Sequence, residues 1–272
     1  MPPPRPIVHL LCLLLLGSSA EAAPQRVMSV NLCTDQYLML VADPAQIASV
    51  SHLAFDPAIS FMAAEAAHHP QNPGTAEEAL GLRPDLILSS QYSSPSLTAM
   101  LERLGFRVER FPVATDEAGI LANLGRIGRL LGREQRAAAL ADEFRRRIAA
   151  ATATGPLPTT TALFYQPGGY TAGAATLQDT ALRLAGLVNL AARLGYQGHG
   201  VIDLETIALH PPDRLVVSRD GAAGASRLEA ELHHPVMRAI TQGRPMQEID
   251  YRYWICDGPM LADAVEALAG ER

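Results

Sequence analysis

Short apolar runs alternate with longer helical patterns along most of the chain. The runs are too brief for helices, and they are typical of strands buried on both faces of a parallel sheet. In the first half they predict strands at 26–30, 46–51, 85–89 and 106–111, and in the second half at 161–165, 213–218 and 245–249. Strands that alternate with helices in each half predict an α/β fold of two lobes with mainly parallel sheets.

A different pattern fills the middle of the chain. Leucine, isoleucine and phenylalanine recur there at three- and four-residue spacing between residues 116 and 151, which indicates helix. Gly132 either divides this stretch into two helices or kinks a single one. The predicted organisation is an N-terminal lobe at 23–115, a connecting helix at 116–153 and a C-terminal lobe at 154–272. A helical connection of this length is stiffer than a flexible hinge.

One segment occurs twice, at 75–90 and at 203–218. Three features match at one offset without a gap: a glutamate (Glu77, Glu205), a Pro-Asp pair (Pro84-Asp85, Pro212-Asp213) and a final serine (Ser90, Ser218). In each copy a cap residue, Thr75 or Asp203, begins a short helix. Pro-Asp ends that helix and a strand follows. A repeat of this kind predicts two similar lobes in tandem.

The N-terminus has the pattern of an export signal. Arg5 precedes an apolar run at 7–16, and Ala20-x-Ala22 is the small-residue motif that a signal peptidase cleaves. We therefore expect a signal peptide at 1–22 and a soluble protein in the periplasm. Export leaves Cys33 and Cys256 in an oxidising compartment. They either form a disulfide between the lobes, or offer thiols to a ligand's metal, or stay as two separate thiols.

Composition and motifs exclude several functions. The net charge is −6 and the pI is near 5.7, so a nucleic-acid surface is not expected. The sequence contains no GxSxG, HExxH, P-loop or GxGxxG motif after the first strand, and therefore no enzyme activity is expected. Two pairs of histidines are adjacent in the sequence, His68-His69 and His233-His234, and this spacing directs the two rings of a pair apart, so no metal site is expected either.

Much of the small aromatic content falls at predicted loops after strands. In open parallel sheets these loops form the ligand site. They carry rings and one arginine: Phe55, Tyr92, Tyr165, Tyr170, Arg219, Tyr253 and Trp254. Rings around a cleft suit a large, flat ligand, although each ring could equally pack within its own loop.

The chain resembles the substrate-binding proteins of ABC importers for iron chelates, haem and vitamin B12. The resemblance rests on the opening 27–36, on Glu77 followed by 82–88, on 127–134, on 184–189, and on Glu205 followed by Pro212-Asp213. It implies two Rossmann-like lobes joined by a long helix, the helical-backbone periplasmic binding protein fold. It also implies a monomer that delivers a small-molecule metal chelate to an ABC permease dimer in the inner membrane.

In that family one exposed carboxylate on each lobe docks on arginines of the permease. Glu77 and Glu205 occupy the matching positions, so the resemblance assigns them permease docking. A second explanation of the same two residues is that each glutamate only stabilises the positive end of its own helix.

The resemblance also suggests pocket residues. The pattern is most similar to vitamin B12-binding members: Phe164, Tyr170 and Trp254 match aromatic positions, His199 and Tyr92 stand where tryptophans are expected, and Phe55 replaces a tyrosine. The expected ligand is a corrinoid, with no cofactor. The alternative is haem, for which His199 or Tyr170 would bind the metal, or a ferric siderophore, which Arg219 would favour.

Overall fold

The structure, a computed structural model, describes residues 22–154, 159–218, 230–241, 244 and 246–270. In the first lobe five strands form one parallel sheet in the order β3-β2-β1-β4-β5. The strands are β1 (Val27–Ser29), β2 (Ile47–Ser51), β3 (Gln71–Asn72), β4 (Leu86–Ser90) and β5 (Val108–Phe111). The helices are α1 (Leu32–Val41), α2 (Ala63–Ala66), α3 (Ala76–Leu82) and α4 (Pro95–Arg103).

The second lobe has a separate parallel sheet in the order β11-β10-β6-β8, and β7 pairs antiparallel with β9. The strands are β6 (Thr161–Tyr165), β7 (Tyr170–Ala172), β8 (Val188–Asn189), β9 (His199–Val201), β10 (Arg214–Val217) and β11 (Met246–Glu248). The helices are α7 (Leu177–Leu184), α8 (Leu190–Arg193), α9 (Leu204–Leu209), α10 (Pro235–Thr241) and α11 (Leu261–Gly270). Two α/β lobes with separate parallel sheets confirm the predicted fold class.

Two helices, not one, connect the lobes: α5 (Glu117–Leu131) and α6 (Glu134–Thr154). Gly132 ends α5 in the left-handed conformation, φ +63°, which glycine adopts without steric cost. This settles the open question about the central segment. Along α6, Phe144 and Ile148 are buried, and Arg147 forms ion pairs with Asp263 and Glu266 of α11. The connection therefore packs tightly against the second lobe.

One hydrophobic core runs through both lobes and the connecting helices. It contains Leu88 of β4, Leu124 of α5, Phe144 of α6 and Val265 of α11, all of which are buried. Burial of such side chains contributes roughly 1.5–3 kcal/mol each, so separating the lobes would expose a large apolar surface. None of the described helices is both long and apolar enough to cross a membrane.

The repeated segment has the same structure in both lobes. The Thr75 side chain accepts a hydrogen bond from the Glu78 N–H at 3.3 Å at the start of α3. The Asp203 side chain accepts one from the Thr206 N–H at 2.6 Å at the start of α9. Each bond satisfies a backbone donor that the helix leaves open, and so the predicted caps are confirmed.

The aspartate of each Pro-Asp pair fastens the first strand of its own lobe. Asp85 accepts hydrogen bonds from the N–H groups of Gln25 (2.7 Å) and Arg26 (3.0 Å), just before β1. Asp213 accepts bonds from the N–H and the hydroxyl of Thr161 at the start of β6, both at 2.7 Å. The repeat thus carries a tertiary contact as well as a helix cap.

Candidate ligand-binding cleft

A cleft of about 320 Å³ lies between the lobes, at the carboxyl ends of their strands. The first lobe supplies Tyr92, which follows β4, and residues 113–115, which follow β5. The second lobe supplies the remaining lining residues: Gln166, Tyr170, Ala175, Thr176, Leu177, Gln178, Gly198, His199, Tyr251, Trp254 and Ile255. The position is the one that parallel sheets favour for ligands.

Tyr170 and His199 form the aromatic wall of the cleft. They lie on the paired strands β7 and β9, and their rings stack with centroids 5.3 Å apart and planes at 15°. Gly169 makes this pairing possible, because its φ is +77° and an added Cβ would lie 2.5 Å from the carbonyl oxygen of Ile202. Glycine alone among the residue types fits there without displacement of β9.

Trp254 forms the floor. The residue is 2% exposed, and its indole N–H donates to Ser218 Oγ at 3.3 Å. Phe164 packs edge-on beneath it, with centroids 5.2 Å apart and planes at 86°. Phe164 is itself 1% exposed and does not line the cleft. The expectation that Phe164 contacts the ligand is therefore corrected: in this structure it supports Trp254 from the core.

The other suggested residues lie in different settings. Tyr92 stands at the mouth and is 77% exposed. Phe55 ends a short 3-10 helix (His52–Phe55) and packs, partly buried, against the hydrophobic core that both lobes share; it does not line the cleft. Arg219 lies outside the described residues. The structure thus brings together Tyr92, Tyr170, His199 and Trp254.

The described lining of the cleft is close to electrically neutral. It contains no arginine and no carboxylate, and His199 is its one residue that titrates near neutral pH. Burial lowers the pKa of His199, which keeps the imidazole uncharged. Burial, and then the nearby phenol of Tyr92, raise the pKa of Tyr170, which stays protonated. Recognition here must use rings, amides and hydroxyl groups.

Gln166 offers an unused donor to this cleft. Its Nε2 is buried and has no hydrogen-bond partner among the described residues, while the side chain lines the cleft. A buried amide donor left unpaired costs free energy comparable to a lost hydrogen bond. A ligand carbonyl would satisfy it. Sequence reasoning missed Gln166, although it directly follows β6 and so lies at a strand end.

Glu77 and Glu205 are exposed in the first turns of α3 and α9. These helices precede β4 and β10, so their N-termini lie at the cleft end of each lobe. A metal site is a separate matter: in the described ranges no three His, Cys, Asp or Glu side chains converge to hold an ion.

Comparison with known proteins agrees with this architecture. The family model described as "Periplasmic binding protein" matches residues 27–241. The chain belongs to the periplasmic binding protein family. It is 30% identical over 216 residues to a cobalamin-binding protein of Halobacterium salinarum, which covers 77% of this chain and 57% of that protein. The chain therefore spans a little over half the length of the curated relative.

Solved structures show the same fold. A periplasmic heme binding protein from Pseudomonas aeruginosa is 26% identical, with a TM-score of 0.72 over 91% of this chain and 92% of that chain. The periplasmic vitamin B12 binding protein BtuF of Vibrio cholerae is 17% identical, with a TM-score of 0.68 over 91% of this chain and 96% of that chain.

In this periplasmic binding protein a disulfide crosses between the lobes. Cys33, in the first turn of α1, is bonded to Cys256, which follows the cleft floor; their Cα atoms are 5.1 Å apart. The disulfide alternative is therefore confirmed. The two alternatives with free thiols, including thiols that bind a ligand's metal, are wrong for this structure.

Hydrogen bonds reinforce the disulfide. Asp257 accepts from the N–H of Ala114 at 3.0 Å and from Nδ2 of Asn123 at 2.8 Å. Burial raises the pKa of Asp257 to about 6. The Thr180 hydroxyl on α7 donates to the carbonyl of Thr115 at 2.8 Å. Sequence reasoning missed these contacts, because no local pattern marks partners that lie far apart in the chain.

Proposed function

We propose that this protein is the periplasmic substrate-binding component of an ABC importer, and that it captures a metal chelate of the corrinoid type between its lobes. Family membership supports a binding role, and the curated relative is described as cobalamin-binding. The protein acts as a monomer in the periplasm, performs no covalent chemistry, and delivers its ligand to the permease. The neutral, aromatic character of the described lining is the observation on which the choice of ligand rests.

The charge of the cleft separates the candidate ligands. A corrinoid has a flat macrocycle around cobalt and a periphery of neutral amides. Rings of Tyr170 and Trp254 suit the macrocycle, and Gln166 and Gln178 suit the amides. Haem carries two carboxylates, whose burial requires cationic or hydrogen-bonding partners. The described lining offers no cation, so it fits a corrinoid better than haem or an anionic siderophore.

The alternative is a haem or ferric-siderophore protein of the same class. One observation favours it: the uncharged imidazole of His199 lies against the phenol of Tyr170. Imidazole nitrogen is a ligand of haem iron, and so is the oxygen of a tyrosine that has lost its proton to the metal site. A solved structure with 26% identity is described as heme binding. Imidazole nitrogen also binds cobalt, so His199 itself is compatible with both ligand classes.

The ligand test uses three probes with the purified protein. Cobinamide, haemin and the anionic chelate ferric enterobactin are titrated separately, and absorption spectra and tryptophan fluorescence are followed, because Trp254 is the sole tryptophan and lies at the cleft floor. We expect the tightest binding for cobinamide. Tighter binding of haemin or of ferric enterobactin would favour the alternative. If all three probes fail to bind, the proposed ligand class is wrong.

Docking on the permease is the second half of the proposal. Two similar lobes present one exposed carboxylate each, which suits a partner with two-fold symmetry and paired cations. Loss of both charges in Glu77→Ala/Glu205→Ala should reduce ligand uptake by cells at least tenfold while binding by the purified protein is unchanged.

A matched control removes the same charge elsewhere. Glu102 and Glu143 are exposed glutamates outside the repeat, and each forms an ion pair with a surface arginine. Glu102→Ala/Glu143→Ala should leave uptake unchanged. If both double variants support the same uptake as wild-type protein, the docking role is wrong. Stabilisation of their own helices would then be the role of Glu77 and Glu205.

A further inference from the structure

The disulfide lies directly behind the cleft floor. Trp254 and Ile255 line the cleft, and Cys256 is the next residue. Its bond to Cys33 ties this floor to the first turn of α1 in the opposite lobe. A covalent bond at this place fixes the distance between floor and first lobe whether or not a ligand is present.

Asp257 holds a second part of the first lobe. Its carboxylate is 2% exposed and accepts hydrogen bonds from the N–H of Ala114 and from the side chain of Asn123. Ala114 lines the cleft, and Asn123 lies on α5. The adjacent residues Cys256 and Asp257 therefore contact three elements: α1, the turn between β5 and α5, and α5 itself.

A third tie lies next to the second. The buried hydroxyl of Thr180, on α7, donates to the carbonyl of Thr115, which also lines the cleft. All three ties act on the floor and rear wall. The mouth differs, since Tyr92 projects from the first lobe and is 77% exposed opposite the rings of Tyr170 and His199.

We propose that the Cys33–Cys256 disulfide, with Asp257 and Thr180, is an interlobe clamp that fixes the cleft floor. The ligand then enters and leaves by movement of the mouth about this clamp, and the lobes do not separate as a whole. This inference rests on the proposed function, because it assumes that the cleft holds the ligand. The disulfide and the two hydrogen-bonded side chains are positioning residues, not ligand contacts.

The clamp should act mainly on ligand release. A cleft whose floor is already fixed loses less conformational freedom on binding, which favours affinity. Most affinity differences between closely related complexes arise in the dissociation rate. Removal of the clamp should therefore speed dissociation of cobinamide about tenfold and leave association within about threefold.

The experiment removes the disulfide in two ways. In one, Cys33→Ser/Cys256→Ser replaces both sulfur atoms. In the other, dithiothreitol reduces the wild-type protein: its two thiols give two electrons and two protons to the disulfide, and Cys33 and Cys256 become thiols. Stopped-flow displacement of cobinamide should show the same faster release in both cases. Dithiothreitol should not change release from the serine variant, which controls for an effect on the ligand.

Thr180→Val tests the clamp with the disulfide intact. It removes the hydroxyl that donates to Thr115 and keeps a side chain of similar volume. We expect release to speed up by a smaller factor, about two- to fivefold. The surface variant Thr152→Val is the control, because the Thr152 hydroxyl donates to carbonyls on α6 and α7, and Thr152 does not line the cleft.

Hydrogen exchange measures the clamp without a ligand. The Ala114 amide, bonded to Asp257, should exchange at least tenfold faster in the serine variant, while amides of β4 and β6 keep their protection and show that the lobes remain folded. An unchanged Ala114 amide would overturn the proposal, and so would an unchanged release rate. If wild-type protein binds no probe, the proposed function fails, but the exchange result still decides whether the clamp exists.

Discussion

The two lobes have the same arrangement of helix, turn and strand, but they contribute different side chains to the cleft. In both, a capped helix, a Pro-Asp turn and a strand recur, and Asp85 and Asp213 fasten the first strand of their lobe in the same way. The cleft is asymmetric: the second lobe supplies Tyr170, His199 and Trp254, and the first supplies the exposed Tyr92. The repeated segment therefore has the same structural role in both lobes, whereas the second lobe supplies most of the side chains that line the cleft.

Buried carboxylates show the same divergence. Asp35 on α1 and Asp179 on α7 both lie in the first turn of the helix that follows the first strand. Asp35 is bonded to the N–H (3.0 Å) and hydroxyl (2.5 Å) of Ser51, and burial raises its pKa to about 7. Asp179 instead pairs with Arg183 at 3.1 Å and accepts from Asn189 at 3.0 Å. At these equivalent positions, different partners therefore compensate for the burial of the carboxylate.

The largest predicted effect tests the asymmetry of the cleft. Trp254→Ala should lower the free energy of unfolding by about 3–5 kcal/mol, because it empties a buried site against Phe164 and removes the hydrogen bond to Ser218. Tyr92→Ala, at the mouth, should change it by less than about 0.5 kcal/mol. Urea unfolding followed by circular dichroism measures both.

Equal destabilisation by these two variants would show that the lobes contribute equally to the stability of the cleft. Trp254→Phe provides a milder change, since it keeps a ring against Phe164 and loses the indole N–H. We expect it to cost less than half of the alanine value.

The second prediction compares the buried carboxylates. The pKa of Asp35 is about 7 in the folded state and near 3.8 when unfolded, so the folded state binds the extra proton between these values. The contribution of Asp35 to the free energy of unfolding is therefore complete below pH 4. It decreases by up to roughly 4 kcal/mol as the pH rises to 7. Asp35→Asn should remove this fall and stabilise the protein at pH 8, because an amide can pair with both Ser51 groups.

Whereas Asp35→Asn should raise the free energy of unfolding at pH 8, Asp179→Asn should lower it. Its new NH₂ group would face the guanidinium of Arg183, a donor against a donor, at a cost of about 1–3 kcal/mol at pH 8. Thermal unfolding of both variants at pH 4, 6 and 8 gives the comparison. Destabilisation by Asp35→Asn at pH 8 would mean that Asp35 is charged and well solvated in the folded state.

Much of the fold could be predicted because its signals are local. Periodicity placed the strands and helices, and the repeat gave the number of lobes. Boundaries were less predictable, because a helix cap is a single contact that periodicity does not show: α1 begins at Leu32. Asn31 is the actual cap and accepts from the Cys33 N–H at 3.0 Å, which leaves Asp35 free to turn into the core.

The site was less predictable because its contacts join distant residues. The short strand β7 lies in a glycine-containing stretch that reads as a loop, and its pairing with β9 creates the stack of Tyr170 and His199. The disulfide remained one of three alternatives, since cysteine spacing does not fix pairing. The bond from Asn123 to Asp257 spans 134 residues and has no sequence signal.

The last and smallest predicted effect tests what the lobes share. Asp85→Ala and Asp213→Ala each leave backbone N–H groups without a carboxylate partner, at Arg26 and at Thr161. Because both sites are exposed and water can replace the partner, each variant should cost about 1–2 kcal/mol, and the two should agree within about 1 kcal/mol.

The control is Asp142→Ala, at an exposed aspartate outside the repeat, which should cost less than about 0.5 kcal/mol. The bonds from Thr161 lower the pKa of Asp213, so its contribution should diminish as pH falls below 4. A cost at one aspartate only would mean that the matching sequence no longer has a matching role in the two lobes.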